Sequence, residues 1–236
     1  MKKQSRRIAV LLLGLLLIPA AMVWGGVYFE TSEKSTGVPG QNNGTRTLKQ
    51  YLSDSAIRIE TPDRITIVDI KSLTMYDLDP ATKMYVSTDI KKIGNMTNVL
   101  GEEGGDMLNQ LLRQLGGQQQ TVTPTDETAT IGGFLCRKYL LNHMMAQGEY
   151  WLSDQVEGVE ELQQFGKTAA KALDQYPLFK QLNVYSIFGQ LEGFPVKSIT
   201  RIMGGVNETT LIKSKRQKMD PELFAIPSDY KLSSYE

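Results

Sequence analysis

The chain has 236 residues, 41% of them hydrophobic and 22% charged, enough for one large domain or two small ones around a real core. Its 26 basic and 26 acidic residues balance, but Lys2, Lys3, Arg6 and Arg7 stand at the very start, and without these four the rest holds 22 basic against 26 acidic. A mildly acidic body lacks the clustered Lys and Arg that nucleic acid demands, so no nucleic-acid partner is expected.

Residues 1–26 read as an export signal. MKKQSRR is a basic start, IAVLLLGLLLI is an apolar run of 11 residues, and Pro19 ends it. Val23 and Gly25 fit the small residues of a cleavage site, with Gly26 opening the mature chain. An uncleaved anchor is the alternative: Ile8 to Phe29 is uncharged over 22 residues, and about 20 apolar residues can span a bilayer. Either way the basic residues stay inside and the body lies outside the cytoplasm, in the periplasm or held at the inner membrane through residues 8–29. No Cys lies near the apolar run, so lipid attachment there is not available.

Beyond the signal the chain is mostly strand-like. VYFETSEKST (27–36) has β-formers without helical period, and GVPGQNNGT (37–45) is a loop. In TLKQYLSDSAIRIETPDRITIVDI the isoleucines at 57, 59, 65 and 67 alternate as in strands. Asp79-Pro80 marks a turn between Met75-Tyr76 and Met84-Tyr85-Val86, which predicts a hairpin. A short helix is expected within 89–100. A second is expected over 106–115, where Met107, Leu108, Leu111, Leu112 and Leu115 form one apolar face. Strands return over 121–154, with a tight turn at Gly132-Gly133. Residues 156–176 form a further amphipathic helix, with Val156, Val159, Leu162, Phe165, Ala169, Leu173 and Tyr176 on one side. FPVKSITRI and NETTLIKSKRQK flank a hairpin turn at 203–206, and MDPELFAIPSDYKL closes the chain with a turn and an apolar tail.

Strand pairs joined by short turns imply antiparallel pairing, and no βαβ alternation appears. The expected class is α+β: a curved antiparallel sheet, an incomplete β-barrel, with two or three helices on its concave face. No linker divides residues 27–236, so a single domain is expected.

The lone Cys136 and the lone His143 invite a reading as nucleophile and base. Seven positions along one strand put them on opposite faces and roughly 23 Å apart, against the hydrogen-bond contact such a pair needs. Cys136 is better read as a small buried hydrophobe. One His and one Cys leave little for a zinc site, and no GxSxG, HExxH or phosphate-cradling loop is present. Asp77 and Asp79 are read as turn chemistry rather than an acid–base pair. No enzyme, metal or cofactor is expected. Met and Tyr are abundant, ten of each, and they gather on the predicted strands. Adaptable Met and flat aromatics suit a variable apolar ligand. The candidate cavity residues are Met75, Tyr85, Leu108, Leu112, Tyr139, Trp151 and Phe165.

Several blocks then carry a family resemblance over about residues 27–232. IRIETPDRITIVDI with MYDLDPATKMYVSTDI, IGGFLCRKYLL with EYWLSD, and EGFPVKSIT with DPELFAIPSDYK follow in an order and spacing that resemble the exported bacterial family called domain of unknown function 4412. That family is similar to the LolA/LolB-like lipoprotein-carrier superfamily. The resemblance implies an incomplete antiparallel barrel around helices, with an apolar cavity for acyl chains and no catalytic residue. The expected function is an exported, non-enzymatic envelope protein binding a lipid or acyl chain. The alternative is a membrane-anchored structural or interaction module without a ligand, its protein partner unknown.

Overall fold

The structure, a computed structural model, describes residues 25–95, 121–143, 146–182 and 192–233. Residues 1–24 of the expected signal or anchor over 1–26, the helix over 106–115 with Leu108 and Leu112, and Met144-Met145 lie outside the described residues.

A twelve-stranded sheet dominates. Its first six strands form a meander: β1 (Val27–Thr36), β2 (Gly44–Leu52), β3 (Ala56–Glu60), β4 (Ile65–Asp69), β5 (Thr74–Asp79) and β6 (Met84–Asp89). The second half holds β7 (Thr121–Ile131), β8 (Phe134–His143), β9 (Ala146–Ser153), β10 (Phe194–Ile202) and β11 (Gly205–Arg216), and β12 (Lys231–Leu232) ends it. The spatial order is β12-β6-β5-β4-β3-β2-β1-β11-β10-β9-β8-β7. The end strands β12 and β7 do not pair, so the sheet is open, an incomplete barrel. A sheet this wide twists and curls rather than staying flat. Ten of its pairings follow the expected antiparallel rule; the exception is β12, which runs parallel to β6.

Local chemistry explains the hairpins. Asp69 accepts from the amides of Lys71 and Ser72, and Asp79 accepts from Ala81 and Thr82. In each turn the fifth residue, Leu73 or Lys83, takes a left-handed φ of 55° or 57°. Asp89, ten residues further, caps α1 (Ile90–Gly94) by accepting from Lys91. At Gly132-Gly133 both residues have positive φ, 58° and 88°, the geometry that suits the twist of a two-residue hairpin. β7 is an exposed edge, interrupted by Pro124 and an irregularity between Pro124 and Thr128; both features discourage edge-to-edge pairing.

Helix α2 (Val159–Leu173) carries the apolar face read from its sequence, with Val159, Ala169 and Leu173 buried. It starts later than the pattern suggested, because Val156 and Gly158 lie in the turn before it. Gly158 has φ 94°, and a Cβ there would come within 2.3 Å of Val27 Cγ1. Only glycine allows that backbone and that close approach of helix to strand. The start of α2 is then tied to β11: Arg216 Nε donates to Glu161 at 2.6 Å, its Nη2 donates to Glu160 at 3.2 Å, and its amide donates to Glu157 at 3.0 Å. A short α3 (Pro177–Leu182) follows, and Gly94 of α1 fits against Tyr176 and Phe179.

The core is divided. The larger cluster joins Val27, Phe29, Leu52, Cys136, Val156, Val159, Phe194, Val196 and Leu211, and Phe29 stacks on Phe194 with ring centroids 4.5 Å apart. The smaller joins Ile67, Leu78 and Tyr230, with Tyr76, Tyr85, Phe224 and Ile226 around them. Paired residues share a face of a sheet, and the ladders from β1 to β6 run without register shifts. Val27 and Leu52 therefore lie on one face, with α2, and Ile67 and Leu78 on the other. The second face is covered by the C-terminal segment, where a 3-10 turn (Pro221–Phe224) receives the Arg58 guanidinium on the Leu223 carbonyl at 3.0 Å.

Candidate functional site

On the α2 face, one row of side chains crosses the sheet in register. Val27 pairs with Leu52, Leu52 with Ile57, Ile57 with Val68, and Val68 with Met75. Five neighbouring strands thus present Val27, Leu52, Ile57, Val68 and Met75 side by side. From Leu52 to Met75 the row spans three strand spacings, roughly 14 Å. Val27 and Leu52 are buried beneath α2, while Ile57, Val68 and Met75 are half-buried.

A cleft of about 460 Å³ opens at the Leu52 end of this row, between α2 and the β2–β3 turn. Leu52 and Phe165 give it an apolar floor, and Ser53, Asp54, Glu160 and Gln164 form a polar rim. Glu161 also borders it. Burial pushes the Glu161 carboxyl up, but the hydrogen bond and charge of Arg216 outweigh this and hold it below its ordinary range. Its negative charge is therefore committed to holding α2 in place.

Along β1 the same face changes character. Val27 and Phe29 are apolar, but Thr31, Glu33 and Ser35 follow, all five nearly inaccessible. Glu33 accepts from Arg46 Nε of the facing strand at 2.9 Å and from the side-chain amide of Asn207 on the other side. Among the described residues, the Thr31 hydroxyl finds no hydrogen-bond partner.

The five described candidates do not meet in one pocket. Met75 belongs to the apolar row, and Phe165 lines the cleft at its other end. Tyr85 is corrected to the opposite face: it pairs with Leu78, which pairs with Ile65, and it packs around the Tyr230 cluster. Tyr139 pairs with Tyr150, and Trp151 with Lys138, so Tyr139 and Trp151 lie on opposite faces of their strands. Tyr139 is buried; burial, and then the charge of Glu192, push its hydroxyl up. Trp151 packs against the larger core with Lys138 Nζ 5.7 Å above its ring. The residues missed from sequence are Leu52, Ile57 and Val68 in the row, and Thr31 and Glu33 beside it. The alternation of Ile57 and Ile59 was a signal, but a register across strands has no signature in one strand's sequence.

The rival chemistry finds no geometry. β8 is unbroken from Phe134 to His143, so Cys136 and His143 stay far apart along one strand. Cys136 is buried, and burial pushes its thiol up, away from the reactive thiolate. Asp77 accepts from the Thr66 hydroxyl at 2.8 Å, while Asp79 serves its turn. The Thr82 hydroxyl and the turn amides hold the Asp79 carboxyl below its usual range. Among the described residues, no group of three His, Cys, Asp or Glu side chains converges to hold a metal ion.

Against known families, the model of the domain of unknown function DUF4412 matches residues 39–230. The chain belongs to this family. The resemblance drawn from its sequence blocks therefore holds for DUF4412, a name that carries no activity. Among curated proteins, none matches the chain. Three solved structures give weak matches. PNGF-II is 14% identical over 88% of this chain, with a TM-score of 0.40, and the chain spans only 30% of that protein. A DUF1329 family protein from Desulfovibrio piger is 8% identical over 85% of this chain and 90% of its own, with a TM-score of 0.37. An outer membrane lipoprotein-sorting protein domain from Vibrio parahaemolyticus is 8% identical over 85% of this chain and 89% of its own, at 0.35. At these scores none of the three bears on the chemistry of this DUF4412 chain. Among its described residues, no helix is long and apolar enough to cross a membrane.

Proposed function

We propose that this DUF4412 protein is an exported, non-enzymatic envelope protein that holds a lipid acyl chain against the α2 face of its open sheet. One observation carries the reading: the in-register row Val27, Leu52, Ile57, Val68 and Met75, which leads from the core beneath α2 to half-buried side chains on β3 to β5. An apolar chain laid on Ile57, Val68 and Met75 removes their remaining surface from water, at about 25 cal/mol per Å² before the costs of binding. On the opposite face of the same strands the protein's own tail already covers Ile67 and Leu78, which favours the α2 face for the ligand. Phe165 and Leu52 in the adjoining cleft continue the apolar path. Export rests on residues 1–26, whether the apolar run is cleaved or keeps the body at the inner membrane through residues 8–29.

The test is native mass spectrometry of the full chain purified without detergent, before and after mixing with monooleoylglycerol. The expected result is a stoichiometric lipid adduct that Met75→Asp and Val68→Asp weaken at least tenfold, with the fold intact by circular dichroism. An adduct unaffected by both substitutions, or none at all, overturns the reading.

A further inference from the structure

The cleft between α2 and the β2–β3 turn joins an apolar floor to a rim of one charge sign, and Leu52 belongs both to that floor and to the apolar row. From this combination we infer the headgroup class of the proposed ligand: a lipid whose head is a protonated amine, seated in the cleft while its chain follows the row. The inference rests on the acyl-chain reading above and adds the head to it.

The cleft has the room. Its volume of about 460 Å³ lies in the range of small-ligand pockets. Phe165 on α2 and Leu52 on β2 form the floor, so the methylenes next to the head leave water there. The charges stand at the rim, Asp54 on the turn and Glu160 and Glu161 on α2. The lining residues include these three carboxylates and no Lys, Arg or His.

Arg216 offsets part of that charge from outside the lining. Its Nε and Nη2 both donate to Glu161, and Nη2 also donates to Glu160 at 3.2 Å. One guanidinium against three carboxylates leaves negative charge in excess. Among the described residues, no ion pair includes Asp54. An ammonium offers three donors and no acceptor, which matches carboxylates on both walls and the side-chain oxygen of Gln164. A carboxylate or phosphate head meets the same charges with the wrong sign. The Glu160 side chain is 88% exposed, so water screens it and the preference for the amine is severalfold rather than large.

Oleylamine, monooleoylglycerol and oleate carry the same chain and differ in the head. Each is titrated below its micellar concentration into the full chain at about pH 7.5, where the rim is ionised and the amine protonated, with binding read by native mass spectrometry. Wild type is expected to bind oleylamine about fivefold tighter than monooleoylglycerol, the worth of one or two exposed ion pairs, and oleate weakest of the three. Asp54→Asn, which breaks no ion pair among the described residues, is expected to remove part of that preference. Asp54→Asn combined with Glu160→Gln is expected to bring oleylamine down to the level of monooleoylglycerol and to leave the latter unchanged. Glu222→Gln, in the 3-10 turn over the opposite face, removes a negative charge away from the cleft and is expected to change nothing. Binding of all three lipids alike, a preference that survives the double substitution, or one that falls equally with Glu222→Gln overturns the headgroup assignment and leaves the acyl-chain reading standing. Binding of none of the three overturns both.

Discussion

At the scale of single residues, Thr31 is the buried side chain whose hydroxyl finds no partner among the described residues. Removing its orphan hydroxyl while keeping its shape should relieve a buried unsatisfied group. Thr31→Val is accordingly expected to raise the stability of the ligand-free protein by about 1 kcal/mol, read as a higher denaturant midpoint with unchanged slope. Arg216 shows the opposite case. Its guanidinium holds the half-buried Glu161 carboxyl below its ordinary range. The sign follows from linkage: a depressed carboxyl stabilises above its unfolded value, near 4.3, and that stability is lost as the pH falls through the lower folded value. Arg216→Met should therefore cost about 1–2 kcal/mol at pH 7, and the difference from wild type should shrink as the pH drops from about 5 toward 3. Unfolding titrations of both proteins across that range check it. Cys136 was read correctly as a buried hydrophobe from its type alone. An alkylating reagent should leave it unmodified in the native protein and modify it fully in urea.

At the scale of elements, periodicity told most. The β1 alternation, the apolar face of α2 and the turns at Asp79-Pro80 and Gly132-Gly133 could be read directly, because each depends on residues near in sequence. The start of α2 could not. Its boundary is set by Gly158, whose left-handed backbone and missing Cβ matter only because Val27 packs there from far away in the chain. Gly158→Ala should cost about 2–4 kcal/mol, from strain at φ 94° and overlap with Val27, measured by chemical denaturation. The C-terminal segment is the second such element. DPELFAIPSDYK reads as a turn and a tail, yet Tyr230 and Ile226 roof Ile67 and Leu78, and Lys83 binds Asp229 at 3.2 Å while lying 4.8 Å from the Tyr230 ring centroid. Tyr230→Ala is expected to cost about 3–5 kcal/mol and to increase hydrogen exchange in β4 and β5 before β1.

At the scale of the whole molecule, the open sheet has two apolar faces across β3 to β5 and treats them differently. One is covered over Ile67 and Leu78 by the protein's own tail. The other carries the row ending at Met75, and the proposed ligand follows from that difference. The α+β class, the antiparallel meander and the membership of DUF4412 were all legible before any coordinates. The candidate cavity was legible only in part. Met75 joins the apolar row and Phe165 lines the cleft, while Tyr85 and Met75, both on predicted strands of one hairpin, face opposite ways.

By itself the sequence determined what local physics can settle: which segments are strands or helices, where the chain turns, that a thiol and an imidazole seven apart on a strand cannot meet, and which apolar residues seek burial. The tertiary structure alone decided which of those residues stand side by side. Register across strands, the face each strand offers to α2 and the covering of Ile67 and Leu78 by the tail are set by pairings between distant segments. Because side chains alternate every second residue, a shift of a single residue in any pairing would send Leu52, Ile57, Val68 and Met75 to the other side of the sheet.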